Sequence, residues 1–463
     1  MKRIISIILC LVLALSCFSG CQNKDDARDN VLRIYNWEDY MEPQVLEDFK
    51  VYYKEKYGIE LEIIYETFDT NETMLTKVEK AHEDYDLVCP SDYIIEKMVD
   101  NGLVIPMDMD IVGTPYNNSV SQYFRDQYAA ASGNNESTLY SIGYMWGTMG
   151  IIYNKEHVSI EELQEQGWGI LWNEKFKGKI FMKDSLRESI CVGNIYVYED
   201  EYKALKKQFD SGELALKDYT ASIQALFNRT DPDTIAKIEE ALIGQKNIVD
   251  AMYDVDNDKN AMVNGSAYLD VAWSGDATWA QIEASEANNG VELGYYVPDY
   301  ASNIWFDGWV IPKYAKNIQA ANEFAAYLLR PDVAIKIMDF IGYPSVVSSP
   351  ETLAYAQDMA FEDDENADVT YFFDGATDVC VNSTMFPPIA VVNSCAVMND
   401  YKDATDAMSA MWARIKGNYL TTTAIVVLIV FAVGVTGILV YNAITKRKKK
   451  VLLTHKKNTY KPE

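Results

Sequence analysis

Three observations predict an α/β fold. Strand-like and helix-like segments alternate in two successive blocks of the chain. A composition that is 49% hydrophobic and 12% aromatic can fill packed cores, which argues against disorder. With 463 residues the chain has room for two or three domains.

The elements follow in chain order. Lys2 and Arg3 precede an apolar run over 4–15, and small residues lead to Cys21, the pattern of a secretory signal over 1–20. Phe18-Ser19-Gly20-Cys21 resembles a bacterial lipoprotein box with Cys21 as the acylated residue, though Phe18 replaces the usual Leu. Cys17 is a weaker alternative acceptor. Residues 21–30 are polar and read as a tether. Strands are predicted over 31–35, 60–65 and 86–89. Helices are predicted from Pro43 to Gly58, over 73–81, and over 93–100 with Gly102 as the stop.

The second block starts with a strand near 150–153. It continues with a strand over 179–182, a long helical stretch between about 185 and 258, and strands over 267–272, 292–297 and 304–312. Helices over 317–329 and 331–340 follow, then an acidic loop over 362–368 and a last helix over 403–415. Residues 420–444 carry no charge and are long enough to span a bilayer as a transmembrane helix. The basic run 446–450 then holds the tail 445–463 in the cytoplasm and the body outside.

Net charge is −28, while residues 446–463 carry eight Lys or Arg against one Glu, so the body is strongly acidic. Nucleic acid is therefore excluded as a partner, because phosphates need basic patches. Only His82, His157 and His455 are present, and neither a G-x-S-x-G elbow nor a phosphate-cradling glycine loop occurs. The reading is a protein that is not an enzyme and has neither a metal site nor a cofactor. Of the body cysteines Cys89, Cys191, Cys380 and Cys395, the last two are the first pair to test for a disulfide, with four free thiols equally consistent.

Indoles beside carboxylates recur at Trp37-Glu38-Asp39-Tyr40, Trp273-Ser274-Gly275-Asp276 and Trp305-Phe306-Asp307. Acids neutralise an ammonium group while ring faces cover methylenes and attract the charge, so such clusters suit a flexible organic cation. Taken singly, each pair is more often a core indole beside a solvated acid.

Further segments occur in a fixed order with these: Asn71-Glu72-Thr73-Met74, Tyr85-Asp86-Leu87-Val88, Pro90-Ser91-Asp92-Tyr93, Trp146-Gly147-Thr148, Leu329-Arg330-Pro331-Asp332-Val333-Ala334 and Ile341-Gly342-Tyr343-Pro344. The ordered set, over 31 to about 346, resembles the spermidine/putrescine-binding proteins of polyamine ABC transporters. That resemblance implies a two-lobed periplasmic-binding-protein-like (type II) fold with an interlobe cleft. Lobe 1 would take 31–147 and 306–350, lobe 2 148–305 and 351–415. It implies a polyamine ligand and a permease and an ATPase as partners. Membrane attachment through Cys21, the C-terminal helix, or both is expected from the local sequences above, and the C-terminal helix is not part of the common family pattern.

By the same resemblance Trp37, Trp273 and Trp305 wall the alkyl chain. Asp307 meets a central ammonium, and Asp276 stands where putrescine-type members place an acid for a terminal one. Asp39, Tyr40, Ser91, Tyr93, Glu188 and Tyr343 fall at other contact positions. Ser185 stands where spermidine binders tend to carry a further acid, so putrescine and spermidine are not ranked. A membrane-tethered polyamine sensor and a binding protein for another organic cation are the alternative readings.

Overall fold

The computed structural model describes residues 28–133, 138–255, 257–417, 430–431 and 434–436. The chain divides into two compact units, 1–402 and 403–463. The second contains the helix Thr405–Gly417, close to the one expected over 403–415. Cys21 lies outside the described residues. So does most of the predicted span 420–444, whose five described positions are helical. Among the described residues no helix is long and apolar enough to cross a membrane.

The strands of the first unit are β1 (Val31–Trp37), β2 (Glu62–Phe68), β3 (Leu87–Val88), β4 (Val104–Ile105), β5 (Ser141–Asn154), β6 (Ile180–Lys183), β7 (Met252–Asp254), β8 (Leu269–Trp273), β9 (Leu293–Tyr296), β10 (Ser302–Pro312), β11 (Asn366–Ala367), β12 (Val379–Cys380) and β13 (Cys395–Ala396). Eleven of them join in one sheet, in the order β2-β1-β3-β10-β5-β8-β6-β7, with β4 and β13 also on β10 and β9 also on β5.

Two long strands carry the chain between the two ends of that sheet. The first part of β5 pairs with β10, while its last residues pair with β8 and β9. β10 in turn runs antiparallel to β3, whose neighbour β1 is parallel to both β2 and β3. At the far end β6 is parallel to β7 and β8. The C-terminal ends of β1, β3, β6 and β8 therefore lead into turns and helices near these long strands, the place where α/β sheets hold ligands.

Local sequence accounts for the first block. Pro43 opens the helix Pro43–Tyr57, Glu42 accepts from the Gln44 N–H, and Gly58 closes it in the left-handed region at φ 72°. Its Val45, Phe49 and Tyr53 are buried as the spacing predicts. β1 extends two residues past the expected strand, which carries Trp37 to the strand's end.

Two expectations are corrected. The strand expected only near 150–153 is fourteen residues long, and every one is buried, so it lacks the polar alternation that marks a half-exposed strand. The stretch 185–258 contains four separate helices, Leu186–Val197, Glu199–Asp210, Leu216–Phe227 and Pro232–Val249. The breaks fall at Tyr198, at Gly212 with φ 76°, and at Asp231, which caps the Thr234 N–H ahead of Pro232. The four described cysteines are free.

Candidate functional site

Asp307 sits where the pairing of β10 with β5 shifts register between Phe306 and Gly308. An extra residue at such a bulge re-aims a side chain. Asp307 also bridges to Ser91, just ahead of the helix Asp92–Asp100. The Tyr40 hydroxyl donates to Asp307 Oδ2 at 2.9 Å, and the Ser91 hydroxyl bonds the same carboxylate. Tyr128 donates to the Asp307 carbonyl at 2.7 Å and fixes the backbone. The residue is only 5% exposed, and Oδ1 has no hydrogen-bond partner among the described residues. Burial pushes its pKa up to about 6; the two hydroxyls pull it down, and Glu188 pushes it up again. A buried carboxylate with an open acceptor and only hydroxyl donors is built to receive a donor from outside the chain.

Aromatic rings enclose it. Trp305 and Tyr343 meet edge to face with centroids 5.2 Å apart, and Tyr343 meets Tyr40 at 5.9 Å. Two glycines make room for these rings. A Cβ at Gly147 would lie 2.7 Å from the Trp305 ring, and one at Gly275 would lie 2.4 Å from the Tyr343 ring. The Tyr343 hydroxyl accepts from the Asp276 backbone N–H. Tyr40, Ser91, Trp305, Asp307 and Tyr343 are thus brought into one cluster.

Other predicted residues stand around it differently. Trp37 ends β1 against Phe68 at 4.6 Å. The buried N–H groups of Trp37 and Trp305 have no hydrogen-bond partner among the described residues. Asp39 is exposed, in the left-handed region at φ 51°, on the turn that brings Tyr40 back to the core. Asn71 donates to Ser91 Oγ at 3.1 Å and to the Tyr93 hydroxyl at 2.9 Å, tying those two together. Glu188 is half-buried and accepts from the Ser185 hydroxyl, and burial pushes its pKa up.

Sequence reasoning missed the protein's own cations. Arg187 stacks between Tyr93 at 3.8 Å and Tyr401 at 3.7 Å, and it donates to the Asn399 carbonyl. Asp276, in the first turn of the helix Ser274–Ala287, bonds Lys183 at 3.3 Å and Lys259 at 3.1 Å. Burial works to raise the Asp276 pKa, yet the two lysines hold it below the usual carboxylate range. Lys183 also lies 4.7 Å over the Trp273 ring. The Asp276 carboxylate, expected to await a ligand, already has two internal counterions. Lys183 ends β6 after three apolar residues, a position that gives a cation no solvent, and this is the signal that was available in sequence.

Two halves of an α/β sheet linked by long strands, with a buried, hydroxyl-held acid among aromatic rings, define a two-lobed binding protein. Residues 47–365 match the family of bacterial extracellular solute-binding proteins, and the chain belongs to that family. Its role is accordingly binding and not catalysis. The chain is 31% identical over 336 residues to the spermidine/putrescine-binding periplasmic protein of Escherichia coli K12, covering 72% of this chain and 81% of that one. It is 26% identical over 336 residues to the putrescine-binding periplasmic protein PotF of the same organism, covering 72% and 82%. Among solved structures, the spermidine/putrescine ABC transporter substrate-binding protein PotD of Streptococcus pneumoniae aligns over 84% of this chain and 98% of that one, with a TM-score of 0.58 and 27% identity.

Proposed function

We propose that this protein is the extracytoplasmic binding subunit of a polyamine ABC transporter, capturing putrescine or spermidine between its lobes for delivery to a permease driven by an ATPase. The observation that carries the reading is Asp307, a buried carboxylate with an unpartnered oxygen inside a ring of Tyr40, Trp305 and Tyr343. An alkyl ammonium supplies three donors and a methylene chain, which are what that oxygen and those rings lack. The names of the relatives support the same ligand class.

In this reading Asp307 pairs with one ammonium and Glu188 with another. Trp37 and Trp305 cover the chain between them, and Tyr40, Ser91, Tyr93 and Tyr343 orient the acids. Asp39 guards the rim, and Trp273 with Asp276 closes the far end. Lobe 1 is 31–147 with 306–350 and lobe 2 is 148–305 with 351–415, and the cleft closes by a hinge at β5 and β10. An acyl chain at Cys21, a helix over 420–444, or both hold the body at the outer face of the membrane. Calorimetric titration with putrescine, spermidine, spermine and cadaverine tests the reading, and absence of binding to all four would sink it.

A further inference from the structure

Asp276 has a cation on each oxygen: Lys183 Nζ at 3.3 Å from Oδ2 and Lys259 Nζ at 3.1 Å from Oδ1. Lys183 is fully buried and is also anchored by Asp258 at 2.6 Å, itself fully buried. The ammonium lies 4.7 Å over the Trp273 ring, the arrangement a polyamine head group would adopt between an indole and an acid. A lysine side chain, four methylenes ending in an ammonium, is chemically one end of an alkyl diamine. We propose that Lys183 is a specificity-determining residue: a resident ammonium that fills the Trp273–Asp276 end of the cleft and leaves Asp307 and Glu188 as the acids inside the cleft for ligand cations, with Asp39 at the exposed rim. This rests on the polyamine reading above.

The charge inventory supports it. Asp307 is held by the hydroxyls of Tyr40 and Ser91, and Glu188 by that of Ser185, while no salt bridge reaches either acid among the described residues. Lys183 pairs with Asp276 and Asp258, and the charge of a third buried acid, Asp270, also favours its ammonium form. Withdrawing Lys183 would leave the buried Asp258 with no salt bridge among the described residues and Asp276 with Lys259 alone, so it has strong reason to stay. A ligand bringing a third ammonium to that end would meet Lys183 as a like charge, with neither oxygen of Asp276 unclaimed. The cleft is thereby tuned to two ligand charges rather than three.

The test is calorimetry on the full-length protein with putrescine and spermidine. Lys183→Met keeps the apolar stem and removes the charge, and it should raise spermidine affinity relative to putrescine by about tenfold or more. Adding Asp276→Asn to that variant should abolish the gain. In the otherwise native chain, Asp276→Asn should cost at least about tenfold less affinity than Asp307→Asn. Lys259→Met, at a part-exposed lysine, frees the other Asp276 oxygen and should shift the ratio in the same direction if Lys183→Met fails to fold. An unchanged ratio in the folded lysine variants, or an Asp276→Asn cost equal to that of Asp307→Asn, overturns the proposal. A native chain that binds neither polyamine overturns the reading beneath it instead.

Discussion

Asp307→Asn separates a binding acid from a structural one, because the two roles predict opposite effects on the ligand-free protein. Burial raises the Asp307 pKa from 3.8 to about 6, so folding favours its protonated form. The associated stability is fully present below the unfolded-state pKa and is lost as pH rises through about 6. A rise of this size corresponds to about 3 kcal/mol against the ionised folded state at neutral pH. At 5% exposure, solvent does little to reduce that figure. Asparagine has nearly the same shape, keeps an oxygen for the Tyr40 and Ser91 hydroxyls, and carries no charge. Urea denaturation of the ligand-free protein at pH 8 should therefore find Asp307→Asn more stable than the native chain, by up to about 3 kcal/mol. The gain should shrink towards pH 5. Polyamine affinity should fall by about 2–5 kcal/mol, or roughly 30-fold to several thousand-fold, because a buried ammonium loses its counter-charge. A variant less stable at pH 8, or one that binds like the native chain, would refute the assignment.

Three further outcomes follow from the geometry. Ammonium binding requires ionised Asp307, so affinity should be constant well above pH 6 and fall by about tenfold per pH unit below it; a flat profile from pH 8 to 4.5 would exclude that acid. Gly275→Ala places a Cβ 2.4 Å from the Tyr343 ring and must displace it, so polyamine affinity should drop while circular dichroism stays native; full affinity would remove Tyr343 from the wall. Metabolic labelling with a radioactive fatty acid should mark the native chain and not Cys21→Ala, and an unlabelled native chain would exclude acylation.

The legible parts of the fold are those whose exposure alternates or whose ends carry turn chemistry. Pro43 and Gly58 bracket a helix that the sequence and the structure place alike. β5 was mostly illegible because all fourteen residues are buried, and its three glycines make close strand and ring contacts that only the tertiary structure reveals. The breaks within 185–258 had local signals at Gly212 and at Asp231-Pro232, obscured by helical periodicity on either side.

The site divides the same way. Trp305 and Asp307 are two residues apart in sequence and stand together in the cluster, and the Tyr40 hydroxyl reaches Asp307 across 267 positions. Counterions were hidden, since Lys183 and Asp276 are 93 residues apart and charge pairing at that distance leaves no periodic trace. Arg187 was overlooked beside Glu188 because a basic residue in a helix's first turn normally faces solvent, and here two tyrosine rings enclose it.

Polyamine capture at Asp307 is tested most directly by isothermal titration of the native protein with putrescine and spermidine at pH 7.5, repeated at pH 5. One ligand per chain is expected at the higher pH and weaker binding at the lower, as Asp307 takes up a proton. No heat of binding from either polyamine, or binding that strengthens on acidification, would contradict that capture.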